Sequence, residues 1–340
     1  MAKSKQEATK QSKQEVVKPP VLFGETQKII KNIEDLRGIK VLCYWNTVNG
    51  SICQNDVRSC YEIIRDWSLQ DEIYFYVKSD GGDGQASLRI INLLREHTKK
   101  LVVIVQGECT SAATILALGA DEIRMGPLSF LSAVDTSLTH DLSPIDKNNS
   151  LVSVSQDELT RVVKLWKETN DTANPYPSLY QYIHPLVFGA LDRASSLSIK
   201  LCTDILSYHM KDKQKASEIS RKLNSNYPSH SYPILIKEAR EIGLNVKVID
   251  KELNDFFFEL NDLYSQMGRL ALTDYDENNY HDNEIRNIIE ANGMQVYYQV
   301  DKDWHYRNDE RRYIPMNDNS SWYKVQGTPS QFESKTFVIR

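Results

Sequence analysis

No stretch of this 340-residue chain reaches the roughly 18 consecutive apolar residues that a membrane helix needs, and no signal peptide opens it. A membrane segment and secretion are therefore not expected. Positive charge is also short: the net charge is −5 and the pI near 5.9, which argues against a general nucleic-acid binder because that function needs a basic face. Cys-x-x-Cys pairs are missing. The five cysteines (Cys43, Cys53, Cys60, Cys109, Cys202) are odd in number and read as reduced cytoplasmic thiols, with neither a disulfide framework nor a zinc site. No cofactor or metal is indicated. What is present is length, enough for one large domain plus a smaller one.

The most informative stretch joins two apolar runs. Leu101 to Val105 (LVVIV) is continuously apolar and β-branched, the pattern of a strand buried on both faces, and Ala112 to Ala120 (AATILALGA) reads as a buried helix. Ser111 sits between them. A serine at a helix N-terminus has free N–H groups beside it, a geometry suited to an oxyanion on a carbonyl that the serine attacks. Serine is also a favoured N-cap, and capping alone would explain it. One unit earlier, the strand Glu72 to Val77 (EIYFYV) runs into Ser79-Asp80-Gly81-Gly82, then a helix with Ala86, Ile90, Leu93 and Leu94 on one face. Paired glycines let the backbone approach a ligand closely, and their N–H groups can supply a second oxyanion donor or hold an extended peptide. Gly38 to Asn46 reads as a first core strand and Asp56 as the cap of a helix after it. Three strand–helix units in a row imply a mainly parallel, right-handed crossover architecture.

Ser79-Asp80-Gly81-Gly82, Ser111-Ala112-Ala113-Thr114, Ala120-Asp121-Glu122-Ile123-Arg124-Met125 and Ser132-Ala133-Val134-Asp135 follow one another with a spacing that resembles the serine dehydrogenase proteinase family, the Clp-fold serine peptidases of the Clp/crotonase superfamily. That family shows Thr-Pro-Gly-Gly, Ser-Ala-Gly-Thr, Ala-Asp-Glu-Ile and Gly-Pro-Ile-Asp at these places. The likeness extends over roughly residues 38 to 270. This chain departs from it at Asp80, Ala113 and Ser132-Ala133, and by lacking the membrane segment of many relatives. The resemblance implies an α/β fold with a Clp/crotonase-like repeated ββα/βα core, a mainly parallel sheet and a C-terminal α+β extension. The expected division is a tail at 1–20, a peptidase domain at 21–250 and an extension at 251–340. It further implies a serine endopeptidase acting on peptide or protein substrates, with a homo-oligomeric assembly. Ser111 would be the nucleophile, the Gly82 and Ala112 N–H groups the oxyanion donors, and Gly81 and Gly82 the backbone holding the substrate.

A serine nucleophile needs a base. In Clp-type peptidases the base follows the serine by about two dozen residues, and Val134-Asp135-Thr136 stands there instead. The acid of the Clp pattern precedes a helix here represented by Ile234 to Leu244, and His230 lies just before it. The resemblance therefore implies exchanged elements, with His230 as base and Asp135 as acid. His230 read as a residue is also an ordinary turn histidine between Pro228 and Pro233, and Asp135 an ordinary buried carboxylate. His184, at the start of a long helical stretch, is the alternative base. Cys109 reads as a small buried residue and His97 as a helix C-terminal one.

Residues 1 to 20 carry net +3, lack apolar periodicity and read as disordered, leaving −8 on the rest. Residues 137 to 180 are polar, with turn signals at Asn148-Asn149 and Asn174-Pro175 around a helical Gln156 to Lys167, in the manner of a substrate lid or a subunit contact. Helix continues from Pro185, Gly243 stops it, and Asn245 to Ile249 returns to strand. Beyond Lys251 come a helix, an expected helix at Asn283 to Asn292, a strand at Met294 to Val300 and many aromatics. Gly82-Asp83-Gly84 is a near miss to a dinucleotide fingerprint, weakened by its acidic turn. A catalytically inactive Clp-fold scaffold and a crotonase-like acyl-CoA enzyme remain the alternatives to the peptidase.

Overall fold

The computed structural model describes residues 15–135, 137–147, 150–168 and 174–339. Residues 1–14 of the expected tail, Thr136 and the Asn148-Asn149 turn lie outside them. Helix α1 (Phe23–Arg37) ends at Gly38, whose left-handed φ of 64° and N–H bond to the Glu34 carbonyl at 2.7 Å close the last turn. Strand β1 (Lys40–Asn46) and helix α2 (Gln54–Ile64) follow. Asp56 is not the N-cap of α2, as its residue type suggests. Cys53 holds that place, and Asp56 at the third helical position reaches back to the Cys53 N–H at 2.6 Å, the capping-box arrangement. Next come β2 (Gln70–Ser79), α3 (Gly84–His97), β3 (Thr98–Cys109), α4 (Ala112–Leu118), β4 (Glu122–Met125) and β5 (Phe130–Leu131).

The polar middle segment holds a small ribbon of β6 (Ser137–Leu138) and β7 (Val154–Ser155), then α5 (Gln156–Glu168), α6 (Tyr176–Leu179), α7 (Pro185–Leu206) and α8 (Lys213–Ser225). Helix α9 (Ile236–Ile242) stops at Gly243 and leads to β8 (Val246–Val248). After α10 (Lys251–Met267), the chain is all strand: β9 (Ala271–Asp274), β10 (Asn279–Ala291), β11 (Met294–Arg307), β12 (Arg312–Asp318), β13 (Ser321–Thr328) and β14 (Gln331–Thr336).

The large sheet runs β14-β13-β11-β10-β1-β2-β3-β4-β8, with β12, β5 and β9 pairing to its side. From β1 through β8 the pairs are parallel; β10 joins β1 antiparallel and begins the meander of the last strands. The fold is thus α/β with a mixed sheet. Its central strands are buried on both faces: Leu101, Val103 and Val105 face α3 and α4, while Val102 and Ile104 face a second core built on α1 and α10. That second core encloses Glu290, which accepts hydrogen bonds from Thr26, Gln27, Gln295 and Tyr264 at 2.6 to 2.8 Å and so ties α1 and α10 to β10.

The helix expected at Asn283 to Asn292 is a strand, the greater part of β10. Ile285, Ile288 and Ile289 are spaced like one face of a helix. A bulge between Ile285 and Asn287 shifts the alternation, so that Ile285 and Ile288 enter one core and Ile289 the other. Pairing with β1 and β11 overrides the local pattern.

Candidate active site

The site is assembled at the end of β3. Val77 pairs with Val105 but Ser79 pairs with Cys109, so β3 carries two extra residues before the turn, with Gly107 at φ 88° absorbing the bulge. The Thr110 N–H then bonds the Ser79 carbonyl at 3.0 Å, and α4 starts at Ala112. Between them Ser111 adopts φ 53° and ψ −121°, one of only two non-glycine residues at positive φ among the described residues. Such backbone costs about 1–3 kcal/mol and persists only where its surroundings enforce it.

The reading of Ser111 as a helix cap does not hold. Its side chain makes no capping bond, and its hydroxyl has no hydrogen-bond partner among the described residues. The N–H of Ala112 and that of Gly82 are likewise unmatched among the described residues, whereas the Gly81 N–H is taken by Ser79 Oγ at 3.1 Å. Gly81 has a different task. A Cβ added there would meet the Ser111 Cβ at 2.7 Å, and its φ of 112° disfavours any other residue. Gly82, at φ 140°, lies against the Ile52 backbone, with which it forms an isolated parallel bridge.

Asp135 and His230 meet across 95 residues of sequence, Nδ1 to Oδ1, at 2.6 Å. The bond to Asp135 raises the His230 pKa above its usual 6.5; burial works the other way, and the aspartate charge adds to the rise. With Nδ1 on the carboxylate, Nε2 is the nitrogen left for chemistry. Ser111, Ala112, Gly82, Asp135 and His230 line one cavity of about 390 Å³, walled by Ile115, Val134 and one face of α7. Ser111 and His230 make no direct hydrogen bond among the described residues.

His184 is elsewhere. Its Nδ1 accepts the Leu186 N–H at 3.2 Å as the N-cap of α7, and Ala194, the nearest cavity-lining residue of that helix, is roughly 15 Å further along it at 1.5 Å per residue. His97 bonds the Leu93 carbonyl at 3.0 Å within α3. Cys109 is buried, its thiol pushed up by desolvation, and its Sγ bonds the Ala113 carbonyl. At the near-fingerprint glycines, the Asp83 carboxylate already caps α3 by accepting from Gln85 and Ala86 N–H, so a diphosphate would meet occupied donors and a negative charge. Among the described residues no cluster of His, Cys, Asp or Glu could hold a metal, and no helix is long and apolar enough to cross a membrane.

Sequence reasoning missed what binds these parts together. Leu131 pairs with Cys109 on one side and bridges Ile234 on the other, through N–H bonds of 3.1 and 2.8 Å, four residues after His230. Val134 is fixed by its N–H to the Leu223 carbonyl and by Ser198 Oγ on its own carbonyl at 2.6 Å. The segment 131–135 is therefore a shared brace for Ser111, Asp135 and His230. The substitution of Ser132-Ala133 for the Gly-Pro of the resembled pattern was its only signal in the sequence.

Residues 54–129, from α2 past α4, match the family model described as Clp protease. The match supports the Clp-fold peptidase superfamily. It does not reach the narrower serine dehydrogenase proteinase family. The chain is 25% identical over 212 residues to one uncharacterized protein of Methanocaldococcus jannaschii, covering 60% of this chain and 62% of that one. A second uncharacterized protein of the same organism is 27% identical over 193 residues, covering 57% and 58%. The chain thus spans about three-fifths of the length of these curated relatives. Among solved structures, two variants of a membrane-bound stomatin-specific protease, one in complex with a substrate peptide, are similar at a TM-score of 0.38 and 14% identity, covering 68% of this chain and 86% and 81% of theirs.

Proposed function

We propose that this chain is a serine peptidase whose nucleophile is Ser111. The observation that carries the reading is the meeting of a strained, uncapped serine and a paired His230–Asp135 in one cavity. His230 Nε2 takes the Ser111 hydroxyl proton as Oγ attacks the substrate carbonyl, and Asp135 holds the ring and offsets the charge it gains. The Ala112 and Gly82 N–H groups receive the oxyanion; each such donor is worth roughly 100- to 1000-fold in rate. As the C–N bond breaks, His230 returns the proton to the departing amine. Water, activated by the same imidazole, then releases the acyl group and regenerates Ser111. The cavity wall of Ile115, Leu197 and Leu201 suits an apolar side chain beside the cleaved bond.

A non-catalytic scaffold is the second reading, favoured by the missing Ser111–His230 hydrogen bond. A homo-oligomer is part of the proposal, with exposed Leu165, Tyr182 and Leu186 of the middle segment available to contact a second copy. The test is hydrolysis of a peptide mixture by purified protein, followed by mass spectrometry. Cleavage abolished by Ser111→Ala and reduced at least about 100-fold by His230→Ala supports the peptidase, general-base catalysis being worth about 100- to 10,000-fold. Cleavage that survives Ser111→Ala refutes it.

A further inference from the structure

We infer that Ser132 is a positioning residue that holds Ser111 in its strained, reactive backbone conformation; the inference rests on the peptidase reading above only for its catalytic consequence. Ser132 is fully buried. Its hydroxyl donates to the Ala133 carbonyl at 2.9 Å, which leaves its oxygen lone pairs to accept the Ser111 N–H at 2.8 Å. That bond holds the backbone of Ser111 with no use of the Ser111 hydroxyl. It supplies the partner that the N–H of a residue at the N-cap position cannot find within its helix.

Ser132 is itself latched. Its N–H donates to Thr114 Oγ1 at 3.1 Å, and the Thr114 hydroxyl lies 3.2 Å from the Ser132 carbonyl and 2.8 Å from that of Cys109. Nucleophile turn and brace are thus cross-linked at two points, one through Ser132 Oγ and one through Thr114 Oγ1. Ser132 lies three residues before Asp135 on the same fixed segment, so its hydroxyl couples the position of the nucleophile to that of the acid. Gly81 supplies the complementary constraint, since its missing Cβ leaves the room into which Ser111 Cβ is turned.

Loss of the hydroxyl frees Ser111 to return to negative φ, which carries Oγ away from the cavity. A displacement near 1 Å at reacting atoms costs about 100-fold in rate. In the full-length chain, Ser132→Ala is expected to slow labelling of Ser111 by a fluorophosphonate by about 10- to 100-fold, within the span that such misplacement allows. The midpoint of the pH profile stays where it is, because the His230–Asp135 pair is untouched. Ser132→Thr, which keeps the oxygen, restores labelling to within about threefold, the usual scatter of a conserved contact.

A second measurement needs no activity. Urea midpoints of wild type, Ser111→Gly, Ser132→Ala and the double variant form a cycle. Glycine tolerates the conformation, so Ser111→Gly is expected to be more favourable with Ser132 present than without it. If Ser132→Ala does not fold, Ser132→Cys, with a weaker acceptor of similar shape, takes its place in both experiments. Labelling of Ser132→Ala within twofold of a labelled wild type, or additive midpoints, overturns the inference. A wild type that is not labelled but shows non-additive midpoints sinks the peptidase reading and leaves the clamp standing.

Discussion

Replacing Asp135 with asparagine isolates what the carboxylate does for His230. The two side chains meet at 2.6 Å, with His230 about half exposed and Asp135 mostly buried. The hydrogen bond and the negative charge hold the imidazole pKa above 6.5 against the opposing effect of burial. The Asp135→Asn change keeps the side-chain shape and removes the charge. It takes away the part that raises the pKa and leaves the part that lowers it. A general base works only when neutral. The wild-type rate should therefore climb with pH through a midpoint above 6.5, and that of Asp135→Asn through a midpoint at or below 6.5. Two unit charges 4 Å apart at a surface-like dielectric of about 20 interact by about 4 kcal/mol. Exposure of the histidine discounts this strongly, because exposed pairs contribute about 0.2–1 kcal/mol in stability. The midpoint therefore moves downward when the charge is removed, the direction set by the lost bond and charge. The plateau falls as well, by about 100- to 10,000-fold, since the amide can present the wrong group to Nδ1 and leaves the imidazolium uncompensated. Stability runs the opposite way to activity. A raised histidine pKa stabilises the fold fully below the unfolded value near 6.5, and that increment is lost as pH rises through the folded value. Initial rates of peptide cleavage from about pH 5 to 9, with urea midpoints at the same pH values, test both halves across the titration range of a histidine. An unmoved acid limb together with a plateau within threefold of wild type refutes the role given to Asp135.

Gly81→Ala places a Cβ 2.7 Å from that of Ser111 at a φ of 112°, so fluorophosphonate labelling should be lost and the urea midpoint should fall by the equivalent of about 1–3 kcal/mol. His184→Ala should cost about 0.5–2 kcal/mol in thermal unfolding through loss of the α7 cap while labelling continues at the wild-type rate. Asp56 is buried with a pKa pushed up to about 6 by desolvation, against the lowering hydrogen bonds from Tyr44, Cys53 and Asn287. Its raised value means that stability falls as pH rises from about 4 to 6. Asp56→Asn should nevertheless destabilise by about 1–3 kcal/mol, because Oδ2 accepts from Tyr44 and the Cys53 N–H and Oδ1 accepts from Asn287, and the amide puts N–H₂ in place of one of these two acceptors.

The central strands were legible because burial on both faces leaves an unbroken apolar run, and Leu101 to Val105 can hardly be read otherwise. Strand β10 was not. Its bulge after Ile285 gives three isoleucines a helical spacing, and its buried Asn283, Glu284, Asn287 and Glu290 look like a solvated face until their partners on distant segments are known. Ser111 stood out because a lone serine separated an apolar strand from a small-residue helix. Its positive φ and its freedom from capping are backbone facts with no residue signature. His230 and Asp135 could be singled out only by position in the resembled pattern, since a contact across 95 residues leaves no local trace. The role of Ser132 was hidden for the same reason: it looked like a departure from a motif, and only the 2.8 Å bond to the Ser111 N–H gives it a purpose.

The central claim is that Ser111 is an activated nucleophile. Intact-protein and peptide mass spectrometry after exposure of the full-length chain to a fluorophosphonate tests it most directly. The account predicts a single phosphonyl adduct on the peptide containing Ser111, absent in Ser111→Ala and formed at least about 100-fold more slowly in His230→Ala. A folded wild-type protein that takes up no adduct, or carries it on another residue, contradicts the account.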